Sequence, residues 1–156
     1  MRWLFVLALA LVPATAAVAA DKKLPYWASI SPSEARLRTG PGRNFPATWL
    51  YRRAGLPVRV VGSVPAWRRI VDPDGATGWI QANLLSDKRT GFVRANGQVL
   101  RVDPDNRGRV LWQVEPGVVG GLSKCNEGWC MLDVKGRRGY LPKAALWGIE
   151  PAETLP

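Results

Sequence analysis

Short runs of alternating apolar and polar residues, each closed by a turn signal, recur along the chain. Residues 27–30 (Trp-Ala-Ser-Ile) form one such run, and 56–61 (Leu-Pro-Val-Arg-Val-Val) alternate over most of their length. Residues 67–71 and 77–80 flank Asp72-Pro73-Asp74-Gly75, a strong turn sequence. Further along, 98–102, 118–123, 129–134 and 138–141 read the same way, with Lys135-Gly136 at a hairpin tip. Residues 81–85 and 142–146 are too short for a stable α-helix and suit a single 3₁₀ turn. Short strands spaced by about 8–12 residues and separated by turn signals predict an all-β protein built as a small barrel.

The pattern occurs twice. Trp79 follows Trp67 by 12 residues, and Tyr140 follows Trp129 by 11. Each second aromatic sits in a Gly-aromatic-aliphatic triplet and is followed 6 residues later by a leucine, Leu85 or Leu146. Upstream, Leu37-Arg38-Thr39-Gly40-Pro41-Gly42 matches Leu100-Arg101-Val102-Asp103-Pro104-Asp105. Gly55 follows Leu37 by 18 residues and Gly117 follows Leu100 by 17. Four features in one order with near-equal spacing predict two copies of one unit. The copies are placed at 26–86 and 91–147, with a disordered tail at 148–156.

Composition narrows the chemistry. The 156 residues include no histidine and two cysteines. This argues against His-based acid–base catalysis, Ser-His-Asp and Cys-His nucleophiles, and nearly every zinc site. The clustered carboxylates, Asp72/Asp74 and Asp103/Asp105, lie in Asp-Pro-Asp sequences that turn geometry explains. We therefore expect no enzyme, no cofactor and no metal. Lys and Arg number 22 against 12 Asp and Glu, a net charge of +10 spread over both halves and carried mostly by arginine. Arginine favours bidentate contact with carboxylates or phosphates.

The first residues read as a signal peptide, 1–20. Arg2 is a short positive region, residues 3–12 are an unbroken apolar run, Pro13 interrupts it, and Ala17-Val18-Ala19 fits a cleavage site. The expected product is exported, periplasmic or secreted, with no transmembrane anchor after processing. Export argues against nucleic acid as a partner. It also favours a structural disulfide between Cys125 and Cys130, which bracket the turn-like Asn126-Glu127-Gly128-Trp129. Free thiols are the alternative, and the spacing differs from the usual redox Cys-x-x-Cys.

Leu37-Arg38-Thr39-Gly40-Pro41-Gly42, then Phe45-Pro46, a Gly-centred turn, a Val-rich strand, a Trp-led strand, Asp-Gly and Gly78-Trp79-Ile80 together resemble the bacterial Src-homology-3 (SH3) domain. Gly139-Tyr140-Leu141-Pro142 is similar to the strand-to-3₁₀ junction of the eukaryotic domain. The resemblance covers about residues 26–147. It implies two tandem SH3-like β-barrels, each ending in a 3₁₀ turn, in a non-catalytic envelope protein, some relatives of which bind peptidoglycan or peptides.

The candidate ligand-binding residues are Trp49, Tyr51, Arg52, Trp67 and Arg68. Aromatics beside arginines offer a surface for a carboxylate-bearing peptide or sugar chain. The expected site is a groove between the first loop and the strand-to-3₁₀ junction, with the glycine turn Gly40-Pro41-Gly42 letting backbone approach a ligand. Trp79 and Tyr140 are expected in the barrel wall. The second copy has Asp103 and Asp105 in place of the glycines, and Gln113 is taken as the counterpart of Arg52, so a carboxylate ligand should prefer the first copy. The expected partner is a cell-wall peptide or glycan, or another envelope protein. The alternatives are a structural or docking protein, or an accessory binding subunit of a cell-wall enzyme.

Overall fold

The computed structural model of the chain describes residues 22–156. The expected signal peptide lies outside them. The first sheet contains β1 (Tyr26–Ile30), β2 (Ala35–Arg38), β3 (Ala47–Tyr51), β4 (Pro57–Val64), β5 (Trp67–Val71), β6 (Thr77–Gln81) and β7 (Leu85–Ser86), with a 3₁₀ turn, Ala82–Leu84, before β7. The second contains β8 (Thr90–Val93), β9 (Gln98–Arg101), β10 (Val110–Val114), β11 (Val119–Ser123), β12 (Trp129–Val134), β13 (Arg137–Pro142) and β14 (Leu146–Trp147), with its 3₁₀ turn at Lys143–Ala145.

Strand order is β3-β2-β6-β5-β4-β1-β7 in the first sheet and β10-β9-β13-β12-β11-β8-β14 in the second. The second order is the first with every label raised by seven, so the two sheets are copies in topology. Register agrees. Trp67 lies opposite Gln81 as Trp129 lies opposite Pro142, and Arg69 opposite Trp79 as Met131 opposite Tyr140. By their pairings the sheets are open, edged by β3 and β7 and by β10 and β14. A closed barrel was the expectation.

Each sheet has its own core. Ile30, Leu37, Val58, Val60, Ile70 and Ile80 fill the first, and Val93, Leu100, Leu122, Leu132 and Leu141 the second. Trp79 and Tyr140 differ from expectation. Gly78 and Ile80 are buried, as are Gly139 and Leu141, so the aromatic between each pair points to the outer face and stays half-buried.

The copies pack on each other. Phe92 and Val119 of the second sheet pack against the first core. Trp27 and Trp147 meet edge to face, with ring centroids 5.0 Å apart. The Arg59 guanidinium lies 5.8 Å from the Trp27 ring centre and pairs with Glu150 at 3.0 Å. Arg94 stands over Trp147 at 5.3 Å.

Cys125 and Cys130 form a disulfide with Cα atoms 4.1 Å apart, and both are buried in the second core. The segment after Trp147, for which the sequence predicts disorder, lies against the second copy. Ile149 enters the second core, the Leu155 N–H donates to Cys125 O at 3.0 Å, and the Lys124 N–H donates to Pro156 O at 2.7 Å. The buried Lys143 ammonium donates to the carbonyls of Pro151 and Glu153. Low apolar content suggested disorder, but backbone bonds to the disulfide hairpin and charged side-chain bonds hold the segment instead.

Glu153 is central to this latch. Its carboxylate accepts bonds from both terminal nitrogens of Arg89 and from the Glu150 N–H. Burial alone would raise the Glu153 carboxyl, but the Arg89 and Glu150 bonds outweigh it and hold the pKa below the usual 4.5. A carboxyl with a depressed folded pKa stabilises the fold above its unfolded value, and that contribution is lost as pH falls through the folded value. The thermal midpoint should therefore drop as pH falls below about 4.5, and Glu153→Gln should flatten this acid limb. An acid limb of unchanged slope in the variant would show that the latch contributes nothing.

Candidate binding groove

Inward Ala35 and Leu37 turn Arg36 and Arg38 to the outer face of β2. Across the β2–β3 pairing, Arg36 lies opposite Leu50. Trp67 opens β5 directly after Ala66, which holds φ at 63°, and faces Gln81 at the end of β6. These elements enclose a groove of about 160 Å³ lined by Glu34, Ala35, Arg36, Arg38, Leu50, Trp67, Gln81 and Leu84. Gln81 and Leu84 bring the strand-to-3₁₀ junction to it, whereas its other wall is β2 and not the first loop, residues 39–46.

The groove has an apolar floor and polar walls. Trp67 is buried, and Leu50 is half-buried. Arg38 donates to the carbonyls of Phe45 at 2.7 Å and Arg43 at 3.2 Å, which pins the β2–β3 loop. Arg101 does the same in the second copy, donating to Gly108 O at 2.7 Å. Arg36 is exposed and has no ion-pair partner among the described residues. Its guanidinium and the Gln81 amide are the groups available to a ligand. Glu34 supplies one carboxylate, which faces Arg52 at 3.9 Å.

The sequence candidates divide. Trp67 lies in this groove. Trp49 and Tyr51 line a different opening of about 370 Å³, with Arg53, Leu56, Asp72, Pro73, Asp74, Ala76 and Phe92. Trp49 is 61% exposed, whereas Tyr51 is buried and its hydroxyl donates to Asp72 Oδ2 at 3.0 Å. Burial, then the Asp72 charge and hydrogen bond, push the Tyr51 phenol far above its usual value. Arg52 and Arg68 line neither opening. Arg52 stands in solvent, and Arg68 is tied to Tyr26 Oη and the carbonyls of Val64 and Trp67.

Two details of the expected site change. The ring of Phe45 lies against Gly40, where an added Cβ would meet it at 2.4 Å. Gly40 is buried there, and the missing Cβ makes room for Phe45. Trp49 and Trp112 both face the second strand's leucine, Leu37 or Leu100, so Gln113 corresponds to Leu50 and Arg52 corresponds to Glu115. By the same register the second copy places Val99, Gln113, Trp129 and Pro142 where the first has Arg36, Leu50, Trp67 and Gln81. Sequence reasoning missed Arg36 and Gln81. The alternation in Ala35-Arg36-Leu37-Arg38 was the available signal for Arg36.

The chain matches the bacterial SH3 domain family over residues 31–87 and again over 94–148. It belongs to that family, in two tandem copies. No curated protein is similar enough in sequence to be matched. Among solved structures, NlpC1 from Trichomonas vaginalis is 12% identical with a TM-score of 0.36, over 88% of this chain and 50% of that one. An NlpC/P60 family protein from Bacillus cereus is 15% identical with a TM-score of 0.36, over 78% and 55% respectively. NlpC2 from Trichomonas vaginalis is 12% identical with a TM-score of 0.37, over 81% and 49%. The aligned region spans about half the length of each of these proteins. Likeness this remote leaves the family assignment resting on the sequence match.

Proposed function

We propose that the chain is an exported, non-catalytic binding module of the cell envelope, each sheet curling around its core as an SH3-like barrel. The groove of the first copy takes a carboxylate-bearing cell-wall peptide. One observation carries this reading. Arg36 and Gln81 bring a guanidinium with no ion-pair partner among the described residues and an amide into one groove with Trp67, and the second copy replaces them with Val99 and Pro142. The apolar leader and the buried disulfide support export. The Asp-Pro-Asp carboxylates support a non-catalytic role, because Asp72 and Asp105 accept N–H bonds of their own turns. Docking to another envelope protein is the second reading, favoured by the exposed Trp49 and Trp112 at matching positions.

Retention on purified peptidoglycan sacculi tests the first reading. Losing a hydrogen bond between charged groups costs about 1.5–3 kcal/mol, so Arg36→Val should weaken binding by roughly tenfold or more. Trp112→Ala, at an exposed tryptophan outside both openings, should leave binding unchanged. Equal retention of Arg36→Val and the parent chain, with steep loss in salt for both, would reduce the interaction to net charge.

A further inference from the structure

We propose that the opening beside Trp49, at the junction of the two copies, is a second binding site that takes an ammonium-bearing aliphatic side chain of the lysine type, presented by a peptide. The two copies differ in what they place beside a matching tryptophan. In the second, Arg137 lies over the ring of Trp112, 5.1 Å from its centre. Register makes Trp112 the counterpart of Trp49, and Arg137 the counterpart of Ala76, since Gly139 and Gly78 lie opposite Leu132 and Ile70. The second copy thus supplies its own cation to its tryptophan. The first has alanine there, and in its place an opening of about 370 Å³ lined by both Trp49 and Ala76.

The lining suits a cation on a methylene stem. Trp49, Leu56, Pro73 and Phe92 provide apolar surface, and Phe92 comes from the second copy, so both copies build the site. Asp72 and Asp74 provide negative charge, and neither has an ion-pair partner among the described residues. Asp72 is buried and already accepts from Tyr51 and from the turn N–H groups of Asp74 and Ala76, which leaves the exposed Asp74 as the group for an ammonium. Arg53 lines the same opening, but its Nη1 donates to Gly117 O across the junction. The upward shift of the Tyr51 phenol includes contributions from both carboxylates, in keeping with a negative local field. An ammonium near an aromatic face and a carboxylate, its stem on apolar surface, satisfies each of these groups.

The site is independent of the carboxylate groove, and its test is too. The purified chain is titrated with capped Ala-Lys-Ala and with its norleucine and glutamate analogues, followed by amide chemical shifts. The lysine peptide should saturate shifts at residues 49–53, 72, 74–76 and 92, with affinity about tenfold or more above the norleucine analogue, and the glutamate analogue should not bind. Ala76→Arg reproduces the arrangement of the second copy and should abolish binding while the thermal midpoint holds. Asp74→Asn should reduce lysine affinity to the norleucine level, and Arg36→Val should have no effect. Equal affinity for lysine and norleucine, no saturable shifts, or full binding by a folded Ala76→Arg chain would each overturn the proposal.

Discussion

Gly148→Ala should be among the most damaging single substitutions in the chain. Gly148 holds φ at +117°, and an added Cβ would lie 2.3 Å from Thr90 O, 3.2 Å from Pro57 Cβ and 3.3 Å from Gly91 Cα. The first contact is with backbone of β8 and cannot relax by a side-chain rotation. The second is with β4 of the other copy, so relief by moving the tail would open the junction. Backbone strain and the displaced contact together should cost about 3 kcal/mol or more. For a body of this size that corresponds to a fall of roughly 10 °C in thermal midpoint. Gly75→Ala is the comparison. Gly75 has φ of +87° and nothing within 4 Å of an added Cβ, so only the strain applies. Its cost should be about 1 kcal/mol. Equal effects at the two positions would mean that the close approach at Gly148 is unimportant.

The second large effect concerns the junction itself. Trp147→Ala removes the edge-to-face partner of Trp27 and the surface under Arg94. Truncating a packed tryptophan should cost about 3 kcal/mol. Trp27 belongs to the first copy and Trp147 to the second, so the cost should register in the unfolding of both. The parent chain should then unfold in one transition and the variant in two. A double-mutant cycle with Trp27→Ala should show a coupling of about 1 kcal/mol. Additive single effects would make the contact incidental. The same packing argues against testing ligand preference with isolated copies, since separation would expose the Trp27 and Trp147 faces and remove Phe92 and Val119 from the first core.

Much of this architecture is legible in the residues. Strands led by Trp67 and Trp129, the Gly-aromatic triplets and the terminal leucines define two equivalent units because backbone register follows from the turns between them. Strand β3 was not legible. Its five residues, Ala-Thr-Trp-Leu-Tyr, place the exposed Trp49 and buried Tyr51 at alternate positions of one face, so burial does not follow hydrophobicity there. The docked tail was equally hidden, because Lys143, Glu153 and Arg89 hold it by hydrogen bonds that no apolar pattern marks. At the binding groove, aromatic-arginine adjacency in sequence pointed to Arg52 and Arg68. Neighbours on a strand face opposite ways, and the arginines that line the groove with Trp67 are Arg36 and Arg38, on another strand.

Carboxylate recognition by the first copy is tested most directly by amide shifts of the purified chain during titration with acetyl-Ala-Ala, compared with its C-terminal amide. The free-carboxylate peptide should perturb residues 34–38, 50, 67 and 81–84, and the perturbation should vanish with the amide and with Arg36→Val. Shifts centred on residues 99, 113 and 129 of the second copy, or equal binding of the acid and the amide, would contradict it.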